Sequence, residues 1–302
     1  MKCKRAFSTF YKTTLKRFIW CISTLSVFLG IYSITRELQK SNPGPKVDNR
    51  PLLVLGMLSP FSHTQFREGQ RHTWISTMQR LNSELPFRII YKFLIDIPTN
   101  DTIKENNKYN DIVFLNATHQ GRAVRFGEKL YLWLRYVHKT YPDALLAGKV
   151  DDDTFLCVPQ IFVRLSQLKS QRLYYGWKHS KFTNDVKIVN VKERIDEMFV
   201  ILGKDLIERI AKRRYCTGTK CNANVDLIDT DFGGTSLGSW LSIYDDIDIH
   251  PDNKRIIQLG RGKEGKIERN IKPDFCLKYL IQHKASVDVM SRLHGYNNVI
   301  PG

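Results

Sequence analysis

The sequence is short of most of what would announce a function. Six cysteines in 302 residues are too few for a disulfide-scaffold miniprotein. Eighteen glycines and eleven prolines exclude a collagen-like or low-complexity chain. No period of solenoid or propeller length recurs. There is no GxSxG, HExxH or Walker A run, so the hydrolase elbow, the zincin helix and the P-loop are without support. Residues 260–265 match GxGxxG in form, but they are charge-rich and no apolar helix follows, so they read as a loop.

Acid is scarce as well. Asp and Glu number 30 against 47 Lys and Arg, a net charge of +17. Such an excess points to polyanionic partners: nucleic acid, membrane headgroups or phosphorylated small molecules. Part of it is local. Lys2, Lys4, Arg5, Lys12, Lys16 and Arg17 lie in the first seventeen residues with no acid among them, and without those six the rest stands at +11. With 42% hydrophobic residues the chain can build a core, and its length suits one large domain or two small ones.

No residue between Arg17 and Arg36 is charged. As a helix, residues 18–34 (FIWCISTLSVFLGIYSI) rise about 25 Å, slightly short of a hydrocarbon core of about 30 Å. Trp20 and Tyr32 stand where interfacial aromatics belong, and the preceding cations put the N-terminus in the cytosol. The rival is a cleaved signal peptide, but the basic region is long and no A-x-A site follows. We expect a basic cytosolic tail at 1–17, a signal anchor at 18–35 in type II orientation, a stem at 36–50 around Pro43-Gly44-Pro45, and a luminal domain at 51–302. The short span suits a thin membrane of the early secretory pathway.

Two sequons, at Asn100 and Asn116, agree with a luminal domain. Beyond the span lie Cys157, Cys216, Cys221 and Cys276, which permit two disulfides in three connectivities. The closeness of Cys216 and Cys221 suits a small loop. A zinc site is the lesser reading, with no CxxC or near histidine. Nucleic-acid binding fits poorly too, because much of the charge sits in the tail and no stacking pattern is seen.

Apolar runs at 51–58 (PLLVLGML), 87–95 (FRIIYKFLI), 111–115 (DIVFL), 144–150 (ALLAGKV) and 173–177 read as strands. Residues 69–81, 126–141 and 159–168 read as helices, with Trp74 and Met78 on one face, and so do 199–211 and 275–283. The alternation predicts an α/β domain with a mainly parallel sheet.

The fourth strand runs into Asp151-Asp152-Asp153. Adjacent carboxylates raise the cost of ionising all three, and a hard divalent cation removes that cost. Ligands bind outside the carboxyl ends of strands in open α/β sheets, so a metal here could bridge to a diphosphate as a Lewis acid. The bland alternative is a solvated acidic turn.

Gly148-Lys149-Val150-Asp151-Asp152-Asp153-Thr154-Phe155 resembles the K-x-D-D-D-x-F signature of the β-1,3-galactosyltransferase-like family (glycosyltransferase family 31). Arg67-x-x-x-Arg71-x-Thr73-Trp74 is similar to its R-x-x-x-R-x-T-W. Further similarities follow in the family's order at Asp111-Ile112-Val113 with Asn116-Ala117-Thr118, at Tyr175-Gly176-Trp177, and at Thr230-Asp231-Phe232-Gly233-Gly234. Thr230 stands where the family has Glu, and the Gly-rich stretch is reduced to 199–203, which marks a divergent member.

The resemblance implies a GT-A-like fold and a Golgi hexosyltransferase. The donor would be a UDP-sugar and the acceptor a hydroxyl on a glycoprotein or glycolipid glycan. The product linkage would be β-1,3 and the reaction inverting. Asp151 and Asp153 would bracket Mn²⁺, with Asp152 and Lys149 beside the nucleotide. Arg71 would approach the uridine or diphosphate, and Asp231 would be the general base. Trp74 reads as core, and His294 as a lone histidine not assigned to the metal. The competing function is an inactive glycan-binding module on the same fold.

Overall fold

The computed structural model describes residues 32–33, 48–117, 126–168, 170–179, 194–217, 220–222, 225–228, 233–258 and 271–297. The chain divides into two units, Met1–Asn49 and Arg50–Gly302. Of the expected membrane span only Tyr32 and Ser33 fall among the described residues, so the anchor lies outside them. No helix among the described residues is long and apolar enough to cross a membrane.

The strands, in chain order, are β1 (Leu52–Leu58), β2 (Arg88–Ile95), β3 (Ile112–Phe114), β4 (Ala144–Asp151), β5 (Thr154–Leu156), β6 (Leu173–His179), β7 (Arg194–Gly203), β8 (Arg214–Cys216), β9 (Asp226–Ile228), β10 (Asp248–Pro251), β11 (Ile256–Ile257) and β12 (Ile281–His283). Seven form the main sheet in the order β10-β6-β7-β4-β1-β2-β3. All its pairings are parallel except those of β7, which runs antiparallel between β4 and β6. The expected mainly parallel α/β sheet is therefore present.

β1 is buried along nearly its whole length, as a central strand covered on both faces must be. Its two faces feed two cores. Leu53, Leu55 and Met57 join Trp74, Phe93 and Phe155 on one side. Leu52 and Val54 join Trp133, Leu134 and Trp240 on the other. Trp74 is core, as its spacing suggested. On the second side the helix Phe126–Thr140 crosses the sheet so closely that a Cβ on Gly56 would meet the Trp133 ring at 2.5 Å. Glycine is required there by that approach.

Two elements expected as helices are each part helix and part strand. Residues 199–211 divide at Gly203: Phe199–Gly203 completes β7, and the helix is Lys204–Ala211. The run MFVILG is apolar on both sides because it is sandwiched in the sheet, a pattern that periodicity cannot tell from a buried helix. Residues 275–283 likewise split into a short helix, Phe275–Lys278, and β12, which pairs antiparallel with β5. The helix expected over 69–81 starts earlier, at Thr64, and its backbone breaks from helical geometry at Thr73 (φ −112°, ψ −108°). The helix Asn100–Tyr109, not read from the sequence, starts at a capping box in which Thr99 and Thr102 each bond the other's backbone N–H.

All four cysteines beyond residue 50 are oxidised, as Cys157–Cys276 and Cys216–Cys221. The small loop is present, and none of the four remains to bind zinc.

Candidate metal and donor site

β1 and β4 are parallel neighbours whose ends coincide, with Leu58 opposite Asp151. Two connections therefore leave the same edge of the sheet side by side: residues 59–63 after β1, and Asp152-Asp153 after β4. This is the carboxyl end of the strands, where open α/β sheets bind ligands.

The three aspartates of the triplet have different surroundings. Asp151 faces Lys149, whose Nζ bonds its carboxylate and donates to the Glu197 carbonyl at 2.7 Å. Burial alone would raise the Asp151 pKa. The Lys149 ammonium and His283 outweigh it and hold the carboxyl well below its ordinary value. Burial would likewise lower Lys149, but Asp151 and Glu197 keep it raised. Asp153 lies against His283, with Nε2 3.3 Å from its Oδ1, and against Lys284, whose Nζ donates to Oδ2 at 2.8 Å. Burial again works against ionisation, and these two cations bring the Asp153 pKa below normal.

His283 is the residue that sequence reasoning missed. It is buried at the end of β12, opposite Thr154 in the β5–β12 ladder. Its Nε2 also approaches Asp151 Oδ2 at 3.4 Å. Burial would lower its pKa, but the two aspartates raise it. One ligand atom each from Asp151, Asp153 and His283 can be chosen so that all lie within 4.8 Å of one another. The fit to a divalent cation rests on poorly satisfied groups: Asp153 Oδ1 and both ring nitrogens of His283 are buried with no hydrogen bond of good geometry, Nε2 meeting the two carboxylates only at 3.3 and 3.4 Å. Two carboxylates and an imidazole suit Mn²⁺ or Mg²⁺. No spacing pattern links 283 to 151–153; only the antiparallel return of β12 joins them. His294, by contrast, sits near Thr77 (3.3 Å) on the helix Val287–Asn297, and burial lowers its pKa.

Asp152 points elsewhere. Its Oδ2 accepts from Ser59 Oγ at 2.7 Å and from His63 Nδ1 at 2.9 Å. From beneath, Gln70 Nε2 donates to the carbonyls of Asp151, Asp152 and Thr154 at 3.0–3.2 Å and fixes the acidic turn.

Arg71, expected near the nucleotide, is committed inside the fold. Its guanidinium makes a two-pronged contact to Asp111 (2.9 and 2.8 Å), meets Glu105 at 2.7 Å and Glu68 at 3.2 Å, and lies between the Phe93 and Tyr109 rings. Burial would lower its pKa, but Asp111 and Glu105 raise it. Its charge is answered by acids and its faces are covered, so it holds helix to sheet rather than a phosphate. Arg67 is fully buried and does the same one turn earlier, bonding Glu105 twice (2.9 and 2.7 Å). Asp231 lies outside the described residues.

The model of the family described as Galactosyltransferase matches residues 65–206, which bears out the resemblance carried by the motifs. No curated protein matches the chain. Solved structures give distant likenesses. One is a glycosyltransferase involved in glycosylation of the major capsid of PBCV-1 (8% identity, 83% of this chain and 100% of that one, TM-score 0.42). A second is the WbbM bifunctional glycosyltransferase (10%, 85% and 51%, TM-score 0.44). A third is a 4-diphosphocytidyl-2C-methyl-D-erythritol synthase (11%, 74% and 98%, TM-score 0.41).

Proposed function

For a chain whose residues 65–206 belong to the galactosyltransferase family, we propose a metal-dependent transfer of a hexose from a UDP-sugar to a glycan hydroxyl. The observation that carries this is the grouping of Asp151, Asp153 and His283 at the carboxyl end of the central strands. Asp151, Asp153 and His283 would hold Mn²⁺, and a bound cation there offsets charge on the diphosphate leaving group. Lys149 keeps Asp151 ionised and oriented. Gln70 keeps the acidic turn closed. Lys284, on a left-handed backbone (φ 60°), donates its ammonium to Asp153 Oδ2 and would add positive charge on the side where the donor phosphates meet the metal.

Asp231 we assign as the base that takes the proton from the acceptor hydroxyl, with inversion at the anomeric carbon and a β-1,3 product. The hexose is galactose or an N-acetylhexosamine. The setting that agrees with the apolar segment 18–34, the sequons and the two disulfides is a Golgi membrane, type II, with the domain luminal.

The test is calorimetric titration of UDP into the full chain with and without Mn²⁺, for the native protein, Asp153→Ala and His283→Ala. We expect metal-dependent UDP binding, with Mn²⁺ affinity reduced about 100-fold or more in either variant. That exceeds the 10–100-fold cost of losing an outer-shell partner. A folded native chain that binds no UDP under any metal condition is not a UDP-sugar transferase.

A further inference from the structure

The middle carboxylate of the triplet is occupied from within the protein, and what it holds leads back to the same edge of the sheet. Ser59 and His63 both donate to Asp152 Oδ2. Asp152 is buried, whereas the His63 side chain remains 41% exposed. The loop carrying His63 is unusually well fixed. Arg67 donates through Nη1 to Ser59 Oγ (3.0 Å) and the Pro60 carbonyl (2.8 Å), and through Nη2 to the Phe61 carbonyl (3.2 Å) and Thr64 Oγ1 (3.0 Å). Glu105 neutralises that guanidinium from behind. The chain thus winds around one buried cation, and the His63 imidazole is held on its outer side, half-exposed. Phe66 flanks its ring at 5.2 Å.

This arrangement fixes chemistry as well as position. With Nδ1 donating to Asp152, the ring is held in one orientation and Nε2 is the free nitrogen. It stands on the loop after β1, beside the acidic turn after β4, so a donor whose diphosphate meets the metal site extends along this edge. Resting on the UDP-sugar reading above, we propose that His63 is a donor-binding residue. It contacts the phosphate or ribose of the nucleotide through Nε2, and Asp152 acts as its positioning residue rather than as a metal ligand.

The experiment compares UDP affinity at saturating Mn²⁺, by calorimetry on the full chain, for the native protein, His63→Ala, His63→Phe, Asp152→Asn and the His63→Ala/Asp152→Asn double variant. His72→Ala, at an exposed histidine nine residues further on, serves as control. His63→Phe keeps a flat ring beside Phe66 and so guards against loss of fold. Both His63 variants should bind UDP about tenfold to a hundredfold more weakly, the worth of one charge-assisted hydrogen bond. Mn²⁺ affinity without nucleotide should be unchanged, and so should UDP affinity in His72→Ala. Asp152→Asn should weaken UDP binding, and the double variant should be no weaker than His63→Ala, because one residue acts through the other. If native UDP binding is lost in Asp153→Ala but unchanged in both His63 variants, the proposal falls and the transferase reading stands. If Asp152→Asn abolishes Mn²⁺ binding, Asp152 is a ligand and its positioning role is overturned. If the native chain binds no UDP, both readings fall together.

Discussion

The two halves of the candidate site are built in contrasting ways. Residues 52–156 form it from regular parallel strands whose adjacent ends deliver Ser59, His63 and the aspartates to one edge. Residues 271–297 contribute one ligand, His283, from a three-residue strand reached through a short helix and a disulfide. The first half is locked by buried ion pairs, the second by a covalent link and one antiparallel ladder. The acidic half can therefore be pre-shaped without metal, while the histidine half depends on a tether.

The two largest effects, of about equal size, should come from the ion-pair lock and the disulfide tether. Arg67→Ala removes the cation at the centre of the 59–64 loop and leaves Glu105 and several loop acceptors short of a partner. Breaking such a buried pair costs about 3–5 kcal/mol, read by urea unfolding at neutral pH. An unfolding free energy within 1 kcal/mol of native (roughly the worth of an exposed pair) would mean the lock is ornamental.

The tether is the other. The Cys157–Cys276 bridge closes 119 residues and joins the residue after β5 to the helix before β12, whereas Cys216–Cys221 spans five. Replacing both cysteines by Ala should cost about 4–5 kcal/mol for the long loop and about 2 for the short one on the chain-entropy account. Only the first should also weaken Mn²⁺ binding, because only it holds His283 in place. Equal metal affinity in the two variants would remove the contrast between the halves.

The smallest effect belongs to His63. Its hydrogen bond to Asp152 raises its pKa above 6.5, with burial opposing. A raised histidine pKa gives stability that is fully present below 6.5 and lost as pH rises through the folded value. The side chain is about two-fifths exposed, so screening by solvent keeps the contribution to no more than about 1 kcal/mol. The stability difference between native and His63→Gln should shrink between pH 6 and 8; a difference that grows with pH would mean the ring is held neutral.

Much of the first half is legible in the sequence. The runs at 51–58, 87–95 and 144–150 become β1, β2 and β4 within a residue at each end, because continuous apolar stretches bounded by turn signals have few other uses. The acidic triplet marks a candidate cation site because adjacent carboxylates raise the cost of ionising all three. Arg71 shows the limit. As a residue type it suits phosphate or carboxylate equally well, and only the arrival of Asp111 and Glu105 from elsewhere in the chain selects the second. The runs at 199–203 and 279–283 mislead for a related reason: a short apolar stretch is strand or helix according to the neighbour it finds.

Sequence alone therefore determined the α/β class, the parallel core, the acidic turn at the end of β4 and the family resemblance that residues 65–206 bear out. Those properties follow from local spacing and side-chain type. Tertiary structure decided that His283 and not His294 joins the aspartates, that Asp152 turns to His63, and that Arg67 and Arg71 face inward. Each of those depends on contacts between residues tens to hundreds of positions apart, where charge and burial are set by what the fold brings close and not by what stands next in the chain.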